Sequence, residues 1–143
     1  MPQMPRVLQF PRHLQDSVWS HVLRELPREC VGVLGAEPAS QGNGLGETVR
    51  LRAVYPLRNI AGSPERRYLA DPLQLMRALR AMPEDGLVLA AIYHSHPKGP
   101  AVPSRSDLLL AEYPVPYLIA DVTRREFRAY LLPENIEVEV QLD

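Results

Sequence analysis

Leu87-Val88-Leu89-Ala90-Ala91-Ile92-Tyr93-His94-Ser95-His96-Pro97 is the stretch on which the reading of this chain turns. An unbroken apolar run of this kind marks a central strand, covered on both faces, although periodicity alone leaves a buried helix open. On a strand, residues two apart share a face, so His94 and His96 point the same way, about 6.5–7 Å apart along the chain. Pro97 then turns the chain away, and Ser104 and Asp107 follow, giving His-x-His-x₇-Ser-x-x-Asp. Two imidazole nitrogens and one carboxylate oxygen suit a zinc ion that keeps its fourth position open for water, the arrangement of catalytic rather than structural zinc.

Outward from that motif, the chain has the proportions of one domain over residues 1–143, a length that buries about two thirds of its unfolded surface. Hydrophobic residues make up 45% and charged residues 23%, which predicts a folded globular protein. A net charge of −1, with no basic stripe, argues against nucleic acid as a partner. Lys98 is the only lysine, an arginine skew that fits a GC-rich genome better than a binding surface. The single cysteine, Cys30, excludes an internal disulfide and any multi-cysteine zinc site. Together with the lack of an eighteen-residue apolar span, and of an apolar core in Met1–Arg6, this predicts a soluble cytoplasmic protein off the membrane.

Prolines punctuate the elements. Arg6–Phe10 reads as a short edge strand. Pro11–Leu26 reads as a helix, with Leu14, Val18, Trp19, Val22 and Leu23 at helical spacing and Pro27 as its stop. Glu29–Ala36 is a buried strand; Glu37–Glu47, rich in Gly and polar residues, is a mobile loop; Thr48–Tyr55 alternates as a half-exposed strand. After the irregular Pro56–Pro64, a short strand over Arg67–Ala70 leads to Asp71-Pro72. These open a helix as N-cap and first residue, and it stops near Pro83. Beyond the central strand, Ser104–Glu112 is a helix, and strands follow at Val115–Val122, Glu126–Leu132 and Ile136–Leu142, the last at an edge. About three helices mix with these strands in no regular β-α-β order, which predicts an α/β fold in the broad sense with a mixed, mainly antiparallel sheet.

Each functional residue has a plainer reading beside it. A His-x-His pair can be two polar residues at a strand end. Ser104-x-x-Asp107 before Leu108 can be only a helix start, with Ser104 as N-cap and an acid in the first turn. The two readings are compatible, because the first turn puts both side chains on the same side of the helix end. If the Pro97–Pro103 loop folds that helix back on the strand, Asp107 is a third ligand and Ser104 sits beside the open position. Glu29 is the best candidate for the base that takes a proton from a zinc-bound water, since a carboxylate on an otherwise apolar strand is costly unless it serves something. Asp71, Glu84 and Asp121 are weaker candidates, better explained as cap or turn residues. His13 and His21 read as surface or packing residues, Trp19 as core, and Cys30 points to the strand face opposite Glu29.

Pro27-Arg28-Glu29-Cys30-Val31-Gly32-Val33-Leu34-Gly35 followed by His94-Ser-His96-Pro97-x₆-Ser104-x-x-Asp107 resembles the JAMM (MPN+) metalloprotease domain, especially its short prokaryotic members. Arg58-Asn59-Ile60-Ala61-Gly62-Ser63-Pro64, with Tyr68 and Asp71-Pro72, is similar to that family's connecting segment. The resemblance spans roughly residues 10 to 135. It implies an MPN-like (cytidine-deaminase-like) fold and a zinc metallopeptidase with one Zn²⁺ per chain. His94, His96 and Asp107 would be the metal ligands, Glu29 the general acid/base, and Ser104 a hydrogen-bond donor to the water or the oxyanion. It further implies isopeptidase, deubiquitinase-like hydrolysis at the tail of ubiquitin-like or sulfur-carrier proteins, and a homodimer. An extended tail would add as a strand to an edge near the site, flanked by Glu37–Glu47 and Pro56–Arg66. The alternative is a non-catalytic metal-binding MPN interaction module, against which the intact Glu29 and Ser104 count. A base deaminase needs a His-x-Glu and a Pro-Cys-x-x-Cys pair, which one cysteine cannot supply.

Overall fold

A computed structural model describes residues 4–39 and 44–143. Its elements run β1 (Val7–Phe10), α1 (Arg12–Glu25), β2 (Val31–Ala36), β3 (Thr48–Leu57), α2 (Pro72–Glu84), β4 (Val88–His96), α3 (Arg105–Leu110), β5 (Tyr117–Asp121), β6 (Glu126–Leu131) and β7 (Ile136–Leu142). The strands close into a barrel-like sheet in the order β1-β3-β2-β4-β5-β6-β7. Pairs β2·β3, β2·β4, β5·β6 and β6·β7 are antiparallel, whereas β4·β5 and both pairings of β1 are parallel. The expected mixed, mainly antiparallel sheet is therefore present.

Two expectations need correction. Neither β1 nor β7 is an edge strand, because β1 lies between β3 and β7 and gives each a full neighbour. Over Arg67–Ala70 there is only a single bridge, Asn59 to Ala70, since the Asn59 side chain takes up the backbone groups around it. The loop expected over 37–47 contains 40–43, which lie outside the described residues.

Burial explains why β2 reads as a continuous apolar run. All six of its residues are buried, because both faces of the sheet are covered. On one face Cys30 and Leu34 join Tyr93 and α1 residues Leu14, Val18 and Val22. On the other, Val31 and Val33 join Ile92, Tyr117 and α2 residues Ala78 and Met82. Each such aliphatic side chain contributes about 1.5–3 kcal/mol on full burial. Gly32 is required by close approach: a Cβ there would overlap the ring of Tyr93, a residue wholly buried and hydrogen-bonded to His21 Nδ1 at 2.7 Å.

Local chemistry sets the ends of the elements near the site. β2 begins at Val31 rather than Glu29 because the two preceding N–H groups donate outside the ladder, Glu29 to the Pro64 carbonyl at 2.7 Å and Cys30 to Ser95 Oγ at 2.8 Å. α2 starts as expected, with Asp71 Oδ1 accepting from the Leu73 and Gln74 N–H groups and Pro72 at the first position. α3 stops at Leu110, short of the expected Glu112, because the N–H groups of Glu112 and Tyr113 donate to the Tyr117 hydroxyl instead of helical carbonyls. Among the described residues, no helix is long and apolar enough to cross a membrane.

Candidate metal centre

The β4 register decides which face carries the site. Ile92, His94 and His96 alternate with Tyr93 and Ser95, and the α2 side of the sheet receives the imidazoles. Glu29 lies in step with Val31 and Val33, so it faces the same side, while Cys30 packs into the α1 side. Ser95, between the two histidines, ties the start of β2 to β4 through its hydroxyl.

The loop after His96 brings α3 back onto the strand end. Ser104 is its N-cap in a reciprocal capping box: Ser104 Oγ accepts from the Asp107 N–H at 3.1 Å, and Asp107 Oδ2 accepts from the Ser104 N–H at 2.8 Å. Helix start and site are thus one structure, with the same residues serving both. The Ser104 hydroxyl keeps its own proton free to donate.

His94 Nε2, His96 Nε2 and Asp107 Oδ2 form a triangle with edges of 3.2, 3.1 and 3.1 Å. His96 Nδ1 lies 2.8 Å from the Pro100 carbonyl, which can only accept, so that nitrogen carries the proton and leaves Nε2 a bare lone pair. Three mutual contacts of this kind cannot all be hydrogen bonds between neutral rings and one carboxylate. Their lengths approach the 3.3–3.4 Å or so between ligand atoms around a tetrahedral ion with bonds of about 2.0–2.1 Å. The donor set therefore fits a zinc-sized cation.

Glu29 stands beside this triangle. It is 5% exposed, its Oε1 is buried without a hydrogen-bond partner, and it offers a ligand atom that lies with those of His94 and His96 within 4.8 Å of one another. Burial pushes its carboxyl up to about 7, with His96 opposing and Asp107 adding to the rise. Asp107 is the opposite case: burial works against its ionisation, but the His94 and His96 imidazoles against its Oδ2, with the Ser104 N–H, hold it well below the usual carboxylate range. Burial lowers His94; in His96 the bonds to Asp107 and Pro100 outweigh burial and raise it. Two carboxyl groups of one site are thus driven in opposite directions, one toward a proton carrier and one toward a permanent anion.

Two residues that the sequence reading placed only in the family's connecting segment also reach the site. The Tyr68 ring stacks on His94 with centroids 4.3 Å apart and a 29° tilt. Asn59 fastens the 58–70 segment over Glu29, donating to the carbonyls of Glu29 and Arg67 and accepting from the N–H groups of Ala61 and Leu69. The Asn59-x₈-Tyr68 spacing is visible in the chain, but neither contact follows from it. Next to Tyr68 opens an apolar cavity of about 330 Å³ lined by Val31, Val33, Leu75, Ile92, Leu110 and Tyr117 among others. A larger hollow of about 780 Å³, around Met4, Arg6 and Ile136, shares no residue with the site and holds no cluster of ligating groups. His13 is exposed, His21 is buried against Tyr93, and Trp19 is partly buried, packed on Phe127 beneath the Arg125 guanidinium.

A family model described as prokaryotic homologs of the JAB domain matches residues 11–132. A relative from Thermus thermophilus, named as a probable TtuB-protein conjugate cleaving protease, is 47% identical over 132 residues, 92% of this chain and 80% of that one. A CysO-cysteine peptidase from Mycobacterium tuberculosis is 30% identical over 137 residues, 93% of this chain and 88% of that one. The solution structure of protein DSY2949 from Desulfitobacterium hafniense superposes with a TM-score of 0.82 at 28% identity, covering 95% and 92% of the two chains. A JAB1/MPN domain protein from Archaeoglobus fulgidus shares the fold, with a TM-score of 0.61 at 15% identity over 96% and 98%.

Proposed function

The chain belongs to the family of prokaryotic homologs of the JAB domain, and on that footing we propose that it is a zinc-dependent peptidase acting on the C-terminal tails of ubiquitin-like or sulfur-carrier proteins. The observation that carries this reading is the triangle of His94, His96 and Asp107 with an unpartnered, buried Glu29 beside it. His94, His96 and Asp107 are the ligands, because their atoms already sit at ligand spacing and Asp107 is anionic at any working pH. Glu29 is the proton carrier, a carboxyl poised at about 7 rather than a permanent anion.

A zinc ion held by His94, His96 and Asp107 would supply Lewis acidity, making water acidic enough to attack an amide carbonyl near neutral pH. Glu29 takes the proton of the attacking water and returns it to the leaving amine, acting first as base and then as acid. The free hydroxyl proton of Ser104 donates to the oxyanion, a contact of the kind worth about 3–4 kcal/mol in the transition state. The Pro100 carbonyl fixes the His96 tautomer, and Tyr68 shields the His94 ring on one face.

The relatives' names, a probable TtuB-protein conjugate cleaving protease and a CysO-cysteine peptidase, support a substrate of the same class here. Each strand of the closed sheet already has two neighbours, so the tail follows the irregular segment 58–70 instead of adding to a free edge. Its glycine end lets the backbone approach His94 and His96 closely, and the cavity beside Tyr68 takes an apolar side chain from further up the tail.

Incubation of the zinc-loaded protein with sulfur-carrier fusions ending in Gly-Gly, with and without chelator, tests the proposal by product mass. Cleavage after the last glycine, lost on chelation and reduced about 10²–10⁴-fold in Glu29→Ala, is expected. Unimpaired cleavage by Glu29→Ala, or none by the wild type on any such fusion, refutes it.

A further inference from the structure

Asp121 ends β5 in register with His96 across the parallel β4·β5 pair. It is 1% exposed, and Oδ1 alone accepts from the Thr123 N–H at 2.9 Å, the Thr123 hydroxyl at 2.7 Å and the Arg124 N–H at 3.3 Å. That is a cap for the turn into β6. A turn cap does not explain the rest of the carboxylate, whose Oδ2 is buried without a partner, an arrangement that costs stability.

The other neighbour of Asp121 is the loop that leaves His96. Gly99 donates its N–H to the His96 carbonyl at 3.0 Å, and Val122 donates to the same carbonyl at 3.3 Å, so the loop and the end of β5 are tied at one point. Gly99 has a φ of +61°, and a Cβ there would lie 2.7 Å from Asp121 Oδ1 and 2.9 Å from Thr123 Oγ1. Only glycine seats flush on that wall. The next residue, Pro100, supplies the carbonyl that holds His96 Nδ1.

We propose that Asp121 is a positioning residue of the metal centre: it is the wall on which Gly99 seats, so that the Pro100 carbonyl meets His96 Nδ1 and Nε2 stays free to ligate. This rests on the reading of His96 as a ligand. A methyl group at Gly99 needs about 0.7 Å more room to reach ordinary contact. Passed along the loop, that shift stretches the 2.8 Å bond at His96 Nδ1 to about 3.5 Å, where it no longer fixes the tautomer. Asp121 touches neither metal nor substrate and acts through Gly99 and Pro100.

Two measurements decide it, on wild type, Gly99→Ala, Asp121→Ala, Asp121→Asn and Arg124→Ala, each first checked for a native circular dichroism spectrum. Nitrogen-detected NMR of the imidazoles in the metal-free protein reads the His96 tautomer, and competition with a chromophoric chelator reads zinc affinity. Read at a pH where the His96 ring is neutral, wild type holds a single Nδ1–H tautomer there. Gly99→Ala and Asp121→Ala are expected to lose it and to bind zinc about 10–100-fold more weakly. Asp121→Asn, which keeps the wall and an acceptor, stays within about threefold of wild type, as does Arg124→Ala, whose side chain has no part in the contact. Retention of both the tautomer and the affinity in folded Gly99→Ala overturns the proposal and leaves Asp121 as a turn cap. Should the wild type bind no zinc, the ligand reading fails, while the tautomer measurement still decides the positioning role.

Discussion

Replacing Glu29 by Gln separates the catalytic role proposed for this carboxyl from what it does to the fold. In the metal-free protein its carboxyl is raised from 4.5 to about 7, chiefly by burial. A raised carboxyl contributes stability that is fully present below the unfolded value, near 4.5, and is lost as pH rises through about 7. The shift of about 2.5 units corresponds to a ceiling of about 3.4 kcal/mol at 1.36 kcal/mol per unit. Discounted for residual solvent screening of the carboxyl, about half of that, 1.5–2 kcal/mol, is expected. Glutamine has nearly the same shape and does not titrate. Urea unfolding of both proteins in the presence of chelator, at pH 4.5, 6, 7 and 8, therefore gives a stability difference that moves in favour of Glu29→Gln by about 1.5–2 kcal/mol across the range. The contributions of His96 and Asp107 are common to both proteins and largely cancel. With zinc restored the difference shrinks, because the cation compensates the carboxylate charge, while activity falls about 10²–10⁴-fold. A stability difference that stays flat from pH 4.5 to 8 refutes the buried, proton-holding Glu29 on which the chemistry depends.

Asp107→Ala is expected to abolish stoichiometric zinc binding, measured by metal analysis after dialysis, whereas Glu29→Ala retains it; the reverse pattern would make Glu29 the third ligand in place of Asp107. Gly32→Ala forces a methyl group into the Tyr93 ring and lowers stability by about 1–3 kcal/mol in chemical denaturation, with unchanged stability counting against the packing described. Burial pushes the Cys30 thiol up to about 12, so the native protein resists iodoacetamide at pH 8 and reacts only when unfolded. That same shift withdraws stability as pH climbs from about 9 toward 12, and labelling of the native thiol within minutes would show the site to be open.

The features legible in the chain are those whose causes are local. His94 and His96 share a face because a strand has period two, and Ser104 with Asp107 builds its capping box within one helical turn. Pro27 and Asp71-Pro72 mark helix boundaries through φ and a missing N–H, and these signals need no partner. The resemblance to JAMM domains drew on the same short motifs, together with Glu29 far upstream.

Tertiary structure alone decided what those motifs touch. Alternation gave no sign that β1 inserts between β3 and β7, since parallel pairing with strands far away in the sequence leaves no local mark. Tyr68 stacks on His94, and Asn59 pins the segment over Glu29, through contacts that chain spacing does not encode. Asp121 looks from its neighbours like a turn residue, and it is one. Its place beside Gly99, and so behind His96, comes from the register of β4 on β5, which burial of both faces sets. The motif was local enough to be read from the residues. The support that holds it in place is a matter of which strands lie side by side.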